Sequence, residues 1–253
     1  MTTLFCPAKI NLFLAIGPKD ASSFHQLETV LMRVENLQDV LHIEPAEKLE
    51  FSSMGSPEDE SNLVLRAIRL LEQKTGKNFH YKIHLEKHIP LAAGLGGGSS
   101  NAASTLHFLN QAENLGFTKN ELMDLGAQLG MDVPFFISKY PMALGTHYGE
   151  KITPLPPAPK DLNFTIHEGP QRSTAEAYAT WEALRQRNQA NSEGLIKAIY
   201  EQNTQGILEH IHNDFQAIFP PDVPDEFGVL LSGSGGAYVV FHGSDTRGTR
   251  RQK

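Results

Sequence analysis

The chain has 253 residues, of which 40% are hydrophobic and 20% charged, a composition typical of a globular protein with one large domain or two modest ones. Its formal net charge of −7 argues against a nucleic acid or an anionic membrane as the partner. Cys6 is the single cysteine, so no intrachain disulfide can form. Because no apolar run approaches the ~20 residues that span a bilayer, and no basic segment precedes an apolar one at the start, we expect a cytoplasmic protein.

The first part of the chain is rich in strand-like patterns. Residues 3–17 contain many apolar and β-forming side chains and predict one or two strands, interrupted at Pro7. Two further strands are predicted at ETVLMRV (28–34) and DVLHIE (39–44).

A helix and an alternating strand follow. The run SNLVLRAIRLLEQKTG predicts a helix that Ser61 caps and Gly76 ends. Residues 79–87 alternate between apolar and polar side chains, which predicts a half-buried strand. His80 and His84 could suggest a metal pair, but their place on the polar face of this strand favours simple exposure to solvent.

Two more helices are predicted after a glycine-rich stretch. The first runs from Ser99 or Ser100 to Gly116, and the second covers 118–130 and opens with a capping box. The apolar runs VPFFI and MALGTHYGEKITPL are interpreted as strands.

The proline-dense segment PLPPAPKD (154–161) predicts a linker between an N-terminal domain (1–153) and a C-terminal domain (162–253). Strand-like runs flank the stretch LSGSGGAYVVF late in the second domain, and the polar tail after it is expected to be a frayed terminus. Without strict βαβ alternation, the pattern favours an α+β fold. The other elements predicted in the second domain are a strand at 162–167 and helices at 173–187, 193–200 and 204–214.

The stretch IPLAAGLGGGSSNAA (89–103) carries the strongest chemical signal. Glycines allow backbone N–H groups to converge on an anion, and a helix that begins after them adds the positive end of its dipole. No lysine follows the glycines, so this is not a Walker P-loop, and the glycine spacing does not fit the dinucleotide fingerprint. The stretch therefore predicts a phosphate site of another kind, with a tight strand-to-helix turn as the alternative.

A lysine and an aspartate elsewhere could complete a phosphoryl-transfer site. Lys9 and Asn11 lie on the first predicted strand, and Asp132 follows a predicted helix within GMDVPFF. If Lys9 and Asp132 meet beside the glycine-rich loop, the lysine would neutralise charge on the γ-phosphate. The aspartate would accept or orient the proton of an attacking hydroxyl.

These residues resemble the GHMP kinase superfamily, whose three motifs are similar to PAKINLFL, PLAAGLGGGSSNAA and LSGSGGAYVVF here. The similarity covers nearly the whole chain. It is greatest to the branch whose substrate is methylerythritol with a cytidine diphosphate head. The resemblance implies a two-domain α+β fold with the active site in the interdomain cleft. It also implies a monomer or homodimer that uses ATP and Mg²⁺ to phosphorylate the 2-hydroxyl of that small molecule, with no nucleic acid or membrane partner.

The resemblance also assigns site residues, and leaves the metal ligands unassigned. It implies that Lys9 and Asp132 are the catalytic pair. Substrate contacts are implied for Asn11, Phe24 and His25, although the family reads ADGYH where this chain has ASSFH, so Phe24 can stack but has no hydroxyl. The residues implied to bind ATP are Asn62, Leu63 and Lys87 at the adenine end, and Pro90, Leu91, Ala92, Ala93, Gly94, Leu95, Gly96, Gly97, Gly98, Ser99 and Ser100 at the phosphates.

Three other hypotheses stay open at the level of the sequence. The chain could be another kinase of the superfamily, acting on mevalonate, homoserine or a sugar. It could be a nucleotide-binding sensor without catalysis, although the presence of both Lys9 and Asp132 argues against this. It could also be a scaffolding protein in which the glycines only form a turn.

Overall fold

The computed structural model describes residues 1–171, 173–184, 190–220 and 228–242 of the chain. In these residues strands and helices are mixed in the α+β arrangement that the sequence predicts. The tail expected to be frayed (243–253) lies outside the described residues, as do the last residues of the helix predicted at 173–187.

The strands form two sheets. In chain order the strands are β1 (Thr2–Lys19), β2 (His25–Pro45), β3 (Glu50–Met54), β4 (Tyr81–Glu86), β5 (Met142–Thr146), β6 (Lys151–Leu155), β7 (Asn163–Glu168), β8 (His212–Asn213), β9 (Val229–Ser232) and β10 (Ala237–His242). The larger sheet has the order β3-β4-β2-β1-β8, with β5 paired to β2 and β6 paired to β5, and the smaller sheet has the order β7-β10-β9.

A long antiparallel hairpin of β1 and β2 forms the centre of the larger sheet. The register shifts at Pro7, which pairs with Gln38, whereas the next residue, Ala8, pairs with Val34. Proline has no N–H to give to a ladder, so a bulge is a suitable place for it. Pro7 therefore marks a bulge and not a break, and the strands predicted at 28–34 and 39–44 are two parts of the single strand β2.

The helices flank the sheets. The helices are α1 (Leu63–Thr75), α2 (Gly97–Ala112), α3 (Lys119–Ala127), α4 (Val133–Ser138), α5 (Thr174–Ala183), α6 (Glu193–Tyr200) and α7 (Thr204–His210), with a 3₁₀ turn at Asp214–Ala217. The capping box predicted at the start of α3 is present, formed by Thr118 and Glu121. Helix α6 covers the residues predicted for it, 193–200.

One predicted strand is wrong, because VPFFI forms the helix α4. A short apolar run fits a buried helix as well as a buried strand, since both of its faces are covered. Pro134 lies in the first turn of α4, where the absent N–H would have had no partner within the helix. This helix carries Asp132 at its N-terminal end.

Several predicted helix boundaries also differ. Asn62, not Ser61, caps α1 by accepting a hydrogen bond from the Val64 amide. Helix α2 begins at Gly97, ahead of the predicted serines, and ends before Gly116. The helix predicted at 204–214 stops at His210, because the following residues pair with β1 as β8.

Two hydrophobic cores meet at β1. On one side, Cys6 of β1 packs with residues of α1, α2 and α4. On the other, Ile10 and Leu12 pack with Leu195 of α6 and with Val239 and Phe241 of β10. The two halves of the chain are therefore packed together through a shared core, and β1, which carries Lys9, is held rigidly between them.

The larger sheet draws almost entirely on the first half of the chain and the smaller sheet on the second. Strand β6 reaches Leu155, within the predicted linker, and β8 joins the larger sheet from the second half. The division into domains at 154–161 stays a prediction. Within the described residues, every helix is too short or too polar to cross a membrane.

Candidate active site

The glycine-rich loop between β4 and α2 has the backbone of an anion site. Ala92, Gly94 and Gly96 have φ angles of 53°, 73° and 71°, so every second residue is left-handed. This alternation turns successive amides toward one side. Helix α2 starts directly afterwards at Gly97, and its N-terminal end adds unpaired N–H groups and a positive dipole.

A second glycine-rich turn, at residues 233–236, packs against this loop. A Cβ on Gly94 would lie 2.1 Å from the Ser232 carbonyl oxygen, and one on Gly236 would lie 2.4 Å from the Ala92 carbonyl oxygen. The Ser232 hydroxyl donates a hydrogen bond of 3.0 Å to the Gly94 carbonyl. The turn therefore braces the loop from behind, and the glycines are required for that approach.

We expect Gly94→Ala to lower the free energy of unfolding by about 2–5 kcal/mol, since it adds a left-handed backbone penalty to a severe overlap with Ser232. It should also weaken ATP binding, because relief of the overlap requires the loop to move. Urea unfolding and calorimetry with ATP measure the two effects.

Gly76→Ala is the matched control. Gly76 has a φ of 69°, close to that of Gly94, but nothing lies within 4 Å of its would-be Cβ. It should lose about 1–2 kcal/mol and bind ATP normally. Equal losses in the two variants would show that the contact with Ser232 contributes nothing.

Lys9 and Asp132 meet beside the loop. The Lys9 amide donates to the Leu95 carbonyl at 2.9 Å, and its Nζ lies 3.4 Å from Asp132 Oδ2. The Lys9 side chain is 3% exposed and that of Asp132 is 36% exposed. Asp132 occupies the N-cap position of α4 but its carboxylate makes no capping hydrogen bond, so it stays available to a ligand.

Asn11 holds Lys9 in place. Its Oδ1 accepts hydrogen bonds from Lys9 Nζ at 2.6 Å and from the Gly233 amide at 3.1 Å. Its Nδ2 donates to Thr29 Oγ1 at 2.8 Å, and that hydroxyl donates to the Phe13 carbonyl. The polar groups of Asn11 are thus satisfied within the protein, which makes it a positioning group for Lys9 in this structure.

A cavity of about 580 Å³ opens in front of this pair. Lys9, Asp132 and Ser99 line one part of it, and Phe24 and His25 line another. Its walls come from both halves of the chain, because Thr29 and Gly94 line it together with Thr174 and Gly233. The structure therefore brings the predicted catalytic and substrate residues together with three of the predicted phosphate residues, Gly94, Gly96 and Ser99.

His25 is fixed by three contacts. Its Nδ1 lies 2.8 Å from the Gly17 carbonyl and its Nε2 lies 3.1 Å from Glu182 Oε1. Its ring stacks on Tyr178 with centroids 5.6 Å apart. Burial, and then the charge of Asp132, raise the pKa of the Tyr178 hydroxyl, so Tyr178 stays uncharged at physiological pH.

Several cavity residues escaped the sequence analysis. Tyr178 and Glu182 come from α5, and Tyr148 comes from the turn between β5 and β6. Tyr148 packs against Phe24 with ring centroids 5.6 Å apart. None of them lies in a motif, and the only signal was the aromatic content of α5, which also fits a helix packed on a core.

The predicted adenine residues lie together near the start of α2. Leu63 Cδ1 is 3.2 Å from the Cβ position of Gly98, and Lys87 Nζ is 2.9 Å from that of Gly97. Lys87 is already paired with Asp39 in a buried ion pair. The Asn62 side chain is occupied as the cap of α1 and by the Pro57 carbonyl. Their contact with adenine stays a prediction.

The residues predicted to bind the phosphates differ in which of their groups, side chain or backbone, can reach a ligand. Ala93 and Leu95 are 3% and 1% exposed, so their side chains belong to the core and only their backbone can face a ligand. Leu91 is 42% exposed. Ser99 lines the cavity, whereas Ser100 lines a different one behind α2, where its buried hydroxyl has no hydrogen-bond partner among the described residues.

Comparisons with known proteins identify the family and the fold. The family model for the GHMP kinases N terminal domain matches residues 62–140. Among solved structures, a 4-(cytidine 5'-diphospho)-2C-methyl-D-erythritol kinase is 28% identical, with a TM-score of 0.75 and coverage of 95% of this chain and 90% of that chain. A homoserine kinase from Cytophaga hutchinsonii has a TM-score of 0.68 at 19% identity, over 96% of this chain and 85% of that one, and shows the shared fold alone. The fold and the site thus define a GHMP kinase.

Two relatives of known name indicate which family of GHMP kinases the chain belongs to. The 4-diphosphocytidyl-2-C-methyl-D-erythritol kinase of Chloroherpeton thalassium is 35% identical, over 96% of this chain and 90% of the relative. That of Carboxydothermus hydrogenoformans is 34% identical, over 94% and 87%. The chain belongs to the 4-diphosphocytidyl-2-C-methyl-D-erythritol kinase family.

Proposed function

We propose that this chain transfers the γ-phosphate of ATP to the 2-hydroxyl of 4-diphosphocytidyl-2-C-methyl-D-erythritol, a step in the methylerythritol phosphate route to isoprenoid precursors. The observation that carries the proposal is the meeting of Lys9 and Asp132, 3.4 Å apart, beside the glycine-rich loop. The names of the relatives supply the substrate. A cytoplasmic monomer or homodimer is part of the same proposal.

The chemistry is an in-line phosphoryl transfer. The amides of residues 94–99 bind the β- and γ-phosphates, whereas the Ser100 amide already donates to the Gly96 carbonyl. The Asp132 carboxylate accepts the proton of the substrate's 2-hydroxyl while the hydroxyl oxygen forms a bond to the γ-phosphorus. The bond between the γ-phosphorus and the β-γ bridging oxygen breaks, which releases ADP. Lys9, held by Asn11, neutralises the charge that develops on the transferred group. The buried position of Lys9 makes its charge more effective than it would be in water.

The residues around the loop fit a magnesium ion. Mg²⁺ prefers carboxylate, hydroxyl, phosphate and water oxygens. The uncapped Asp132 carboxylate and the Ser99 hydroxyl line the same cavity, and Ser99 Oγ lies only 3.6 Å from the Cβ position of Gly130, just before Asp132. Asp132 and Ser99 would hold the ion, which when bound would supply positive charge to offset that of the phosphates.

The aromatic part of the cavity suits the cytidine head. Phe24 is 61% exposed and lines the cavity together with Tyr178 and the fixed ring of His25, so an aromatic base has a stacking surface there. Lys19 also lines the cavity, where its ammonium is paired with Glu182 at 2.6 Å. Binding of the head aims the remote hydroxyl at Asp132, which is where binding energy assists the reaction.

The direct test is detection of the product. The purified chain is incubated with Mg·ATP and the cytidylated methylerythritol, and mass spectrometry follows the gain of one phosphate. Mevalonate, homoserine and galactose serve as competing acceptors in parallel. Phosphorylation of one of these in preference would refute the substrate assignment, and ATP binding without any transfer would indicate a sensor.

Phe24→Ala should raise the KM for the cytidylated substrate about 2- to 10-fold, because an aromatic contact is worth about 0.5–1.5 kcal/mol, while the KM for ATP stays constant. Phe5→Ala is the matched control, since Phe5 is also 61% exposed but lines the other cavity, behind α2. Steady-state kinetics with each substrate varied in turn measures both. An unchanged KM in the Phe24 variant would remove that ring from the binding site.

A further inference from the structure

Two loops form the rim of the cavity on the side of Phe24. One is the turn between β1 and β2, residues 20–24, and the other is the turn between β5 and β6, residues 147–150. Both contribute to the cavity wall, the first through Ser23 and Phe24 and the second through Tyr148 and Gly149. The 20–24 loop carries the most exposed aromatic residue of the site, so its position decides where that ring lies.

The 147–150 turn is fixed to the sheet. The Glu150 carboxylate accepts the Tyr148 amide at 2.9 Å and lies 2.5 Å from His147 Nδ1. The Leu27 amide of β2 donates to the His147 carbonyl at 2.6 Å. The His147 and Tyr148 rings also pack, with centroids 3.8 Å apart. Tyr148 thus extends from a well-anchored turn.

Tyr148 ties the 20–24 loop to this anchor. Its hydroxyl donates to Asp20 Oδ2 at 2.5 Å and lies 2.7 Å from Ser22 Oγ, and its ring packs against Phe24. The loop's other hydrogen bonds are internal, between Asp20 and Ser22, Ser23 or Phe24. In the part of the chain that the structure describes, the hydrogen bonds that leave residues 20–24 therefore all end on Tyr148.

The pKa shifts of Asp20 and Tyr148 favour a stable hydrogen bond between the two side chains. Hydrogen bonds from Ser22 and then Tyr148 lower the pKa of the Asp20 carboxyl, and the bond to Asp20 raises the pKa of the Tyr148 hydroxyl. Donor and acceptor thus keep complementary protonation states, and a hydrogen bond to an ionised carboxylate is stronger than one between neutral groups.

We propose that Tyr148 is a positioning residue for the nucleotide head of the substrate, acting through Asp20 and Ser22 to hold Phe24 over the cavity. The inference rests on the proposed function and adds a residue that determines specificity. Without the hydroxyl, the 20–24 loop would be held only by its two strand ends and by the contact of Phe24 with the ring at position 148, and binding of the substrate would have to order it.

The test is Tyr148→Phe, which removes the hydroxyl and keeps the ring. We expect the KM for the cytidylated methylerythritol to rise about 3- to 10-fold, with kcat and the KM for ATP unchanged. Backbone amides of residues 20–25 should exchange with deuterium faster than in the wild type. Asp20→Ala, which removes the acceptor, should raise the same KM at least as much, and the double variant should be no worse than Asp20→Ala alone, because both substitutions remove one connection.

Tyr81→Phe is the matched control, since the Tyr81 hydroxyl also donates to a carboxylate, that of Glu113, at 2.5 Å, but on a strand outside the cavity. It should leave the KM and the exchange of residues 20–25 unchanged. Unchanged exchange in the folded Tyr148 variant, or faster exchange with an unchanged KM, would overturn the inference. A wild-type protein that does not phosphorylate the cytidylated substrate would overturn the proposed function instead, and the inference with it.

Discussion

Asp132→Asn is expected to lower kcat by about 10²–10⁴, the usual contribution of a general base. The amide has nearly the shape of the carboxylate but cannot accept the proton of the 2-hydroxyl. Stability should change little, because the Asp132 side chain is 36% exposed and makes no capping hydrogen bond. Single-turnover kinetics with saturating Mg·ATP isolates the chemical step, and urea unfolding checks the fold.

Asp124→Asn provides the control for this substitution. Asp124 is an exposed residue of α3 and lies outside the cavity, so its variant should retain full turnover. If Asp132→Asn also retains wild-type turnover in a folded protein, Asp132 is not the base. If instead the KM for Mg·ATP rises with little loss of kcat, the carboxylate serves the metal ion more than the hydroxyl.

The sequence predicted the features that depend on local interactions. The capping box of α3 and the alternating pattern of β4 are decided by residues a few positions apart. The glycine-rich loop belongs to the same group, because left-handed backbone at Gly94 and Gly96 favours glycine whatever surrounds it. These signals are strong because the physical cause lies within the stretch itself.

The wrong and missing predictions concern features that tertiary contacts determine. VPFFI is apolar on every face, and only its burial between the sheet and α2 makes it a helix instead of a strand. The meeting of Lys9 with Asp132 joins residues far apart in the chain. Composition and spacing could not show it, and the expectation came from the resemblance to a family. Tyr148 and Glu182 had neither a local pattern nor a motif, so the structure alone places them at the cavity.

Two buried lysines near the loop show how similar burial serves different ends. Lys9 and Lys87 have side chains that are 3% and 5% exposed, and their carboxylate partners, Asp132 and Asp39, are 36% and 0% exposed. A partly exposed carboxylate can be solvated when its lysine is lost, whereas a fully buried one cannot. The first pair is therefore open to a substrate, and the second holds the chain together at the end of β4.

Lys9→Met should lower kcat by about 10²–10³, the usual effect of removing one group that stabilises the transition state, with ATP binding mostly retained. The loop amides that bind the phosphates are unchanged, and methionine fills the space of the lysine stem. The free energy of unfolding should fall little, because Asp132 reaches water and the Asn11 Oδ1 keeps its bond from the Gly233 amide. Single-turnover kinetics and calorimetry with ATP measure the two effects.

Lys87→Met should instead lower the free energy of unfolding strongly, by about 3–5 kcal/mol, because it leaves the Asp39 carboxylate buried without its cation. Bonds from the amides of His88 and Ile89 to Asp39 remain and satisfy one oxygen only. Urea unfolding of the two variants side by side decides the matter. If Lys9→Met lost as much stability as Lys87→Met and kept its kcat, the Lys9 ammonium would be a structural group, and the catalytic pair would reduce to Asp132 alone.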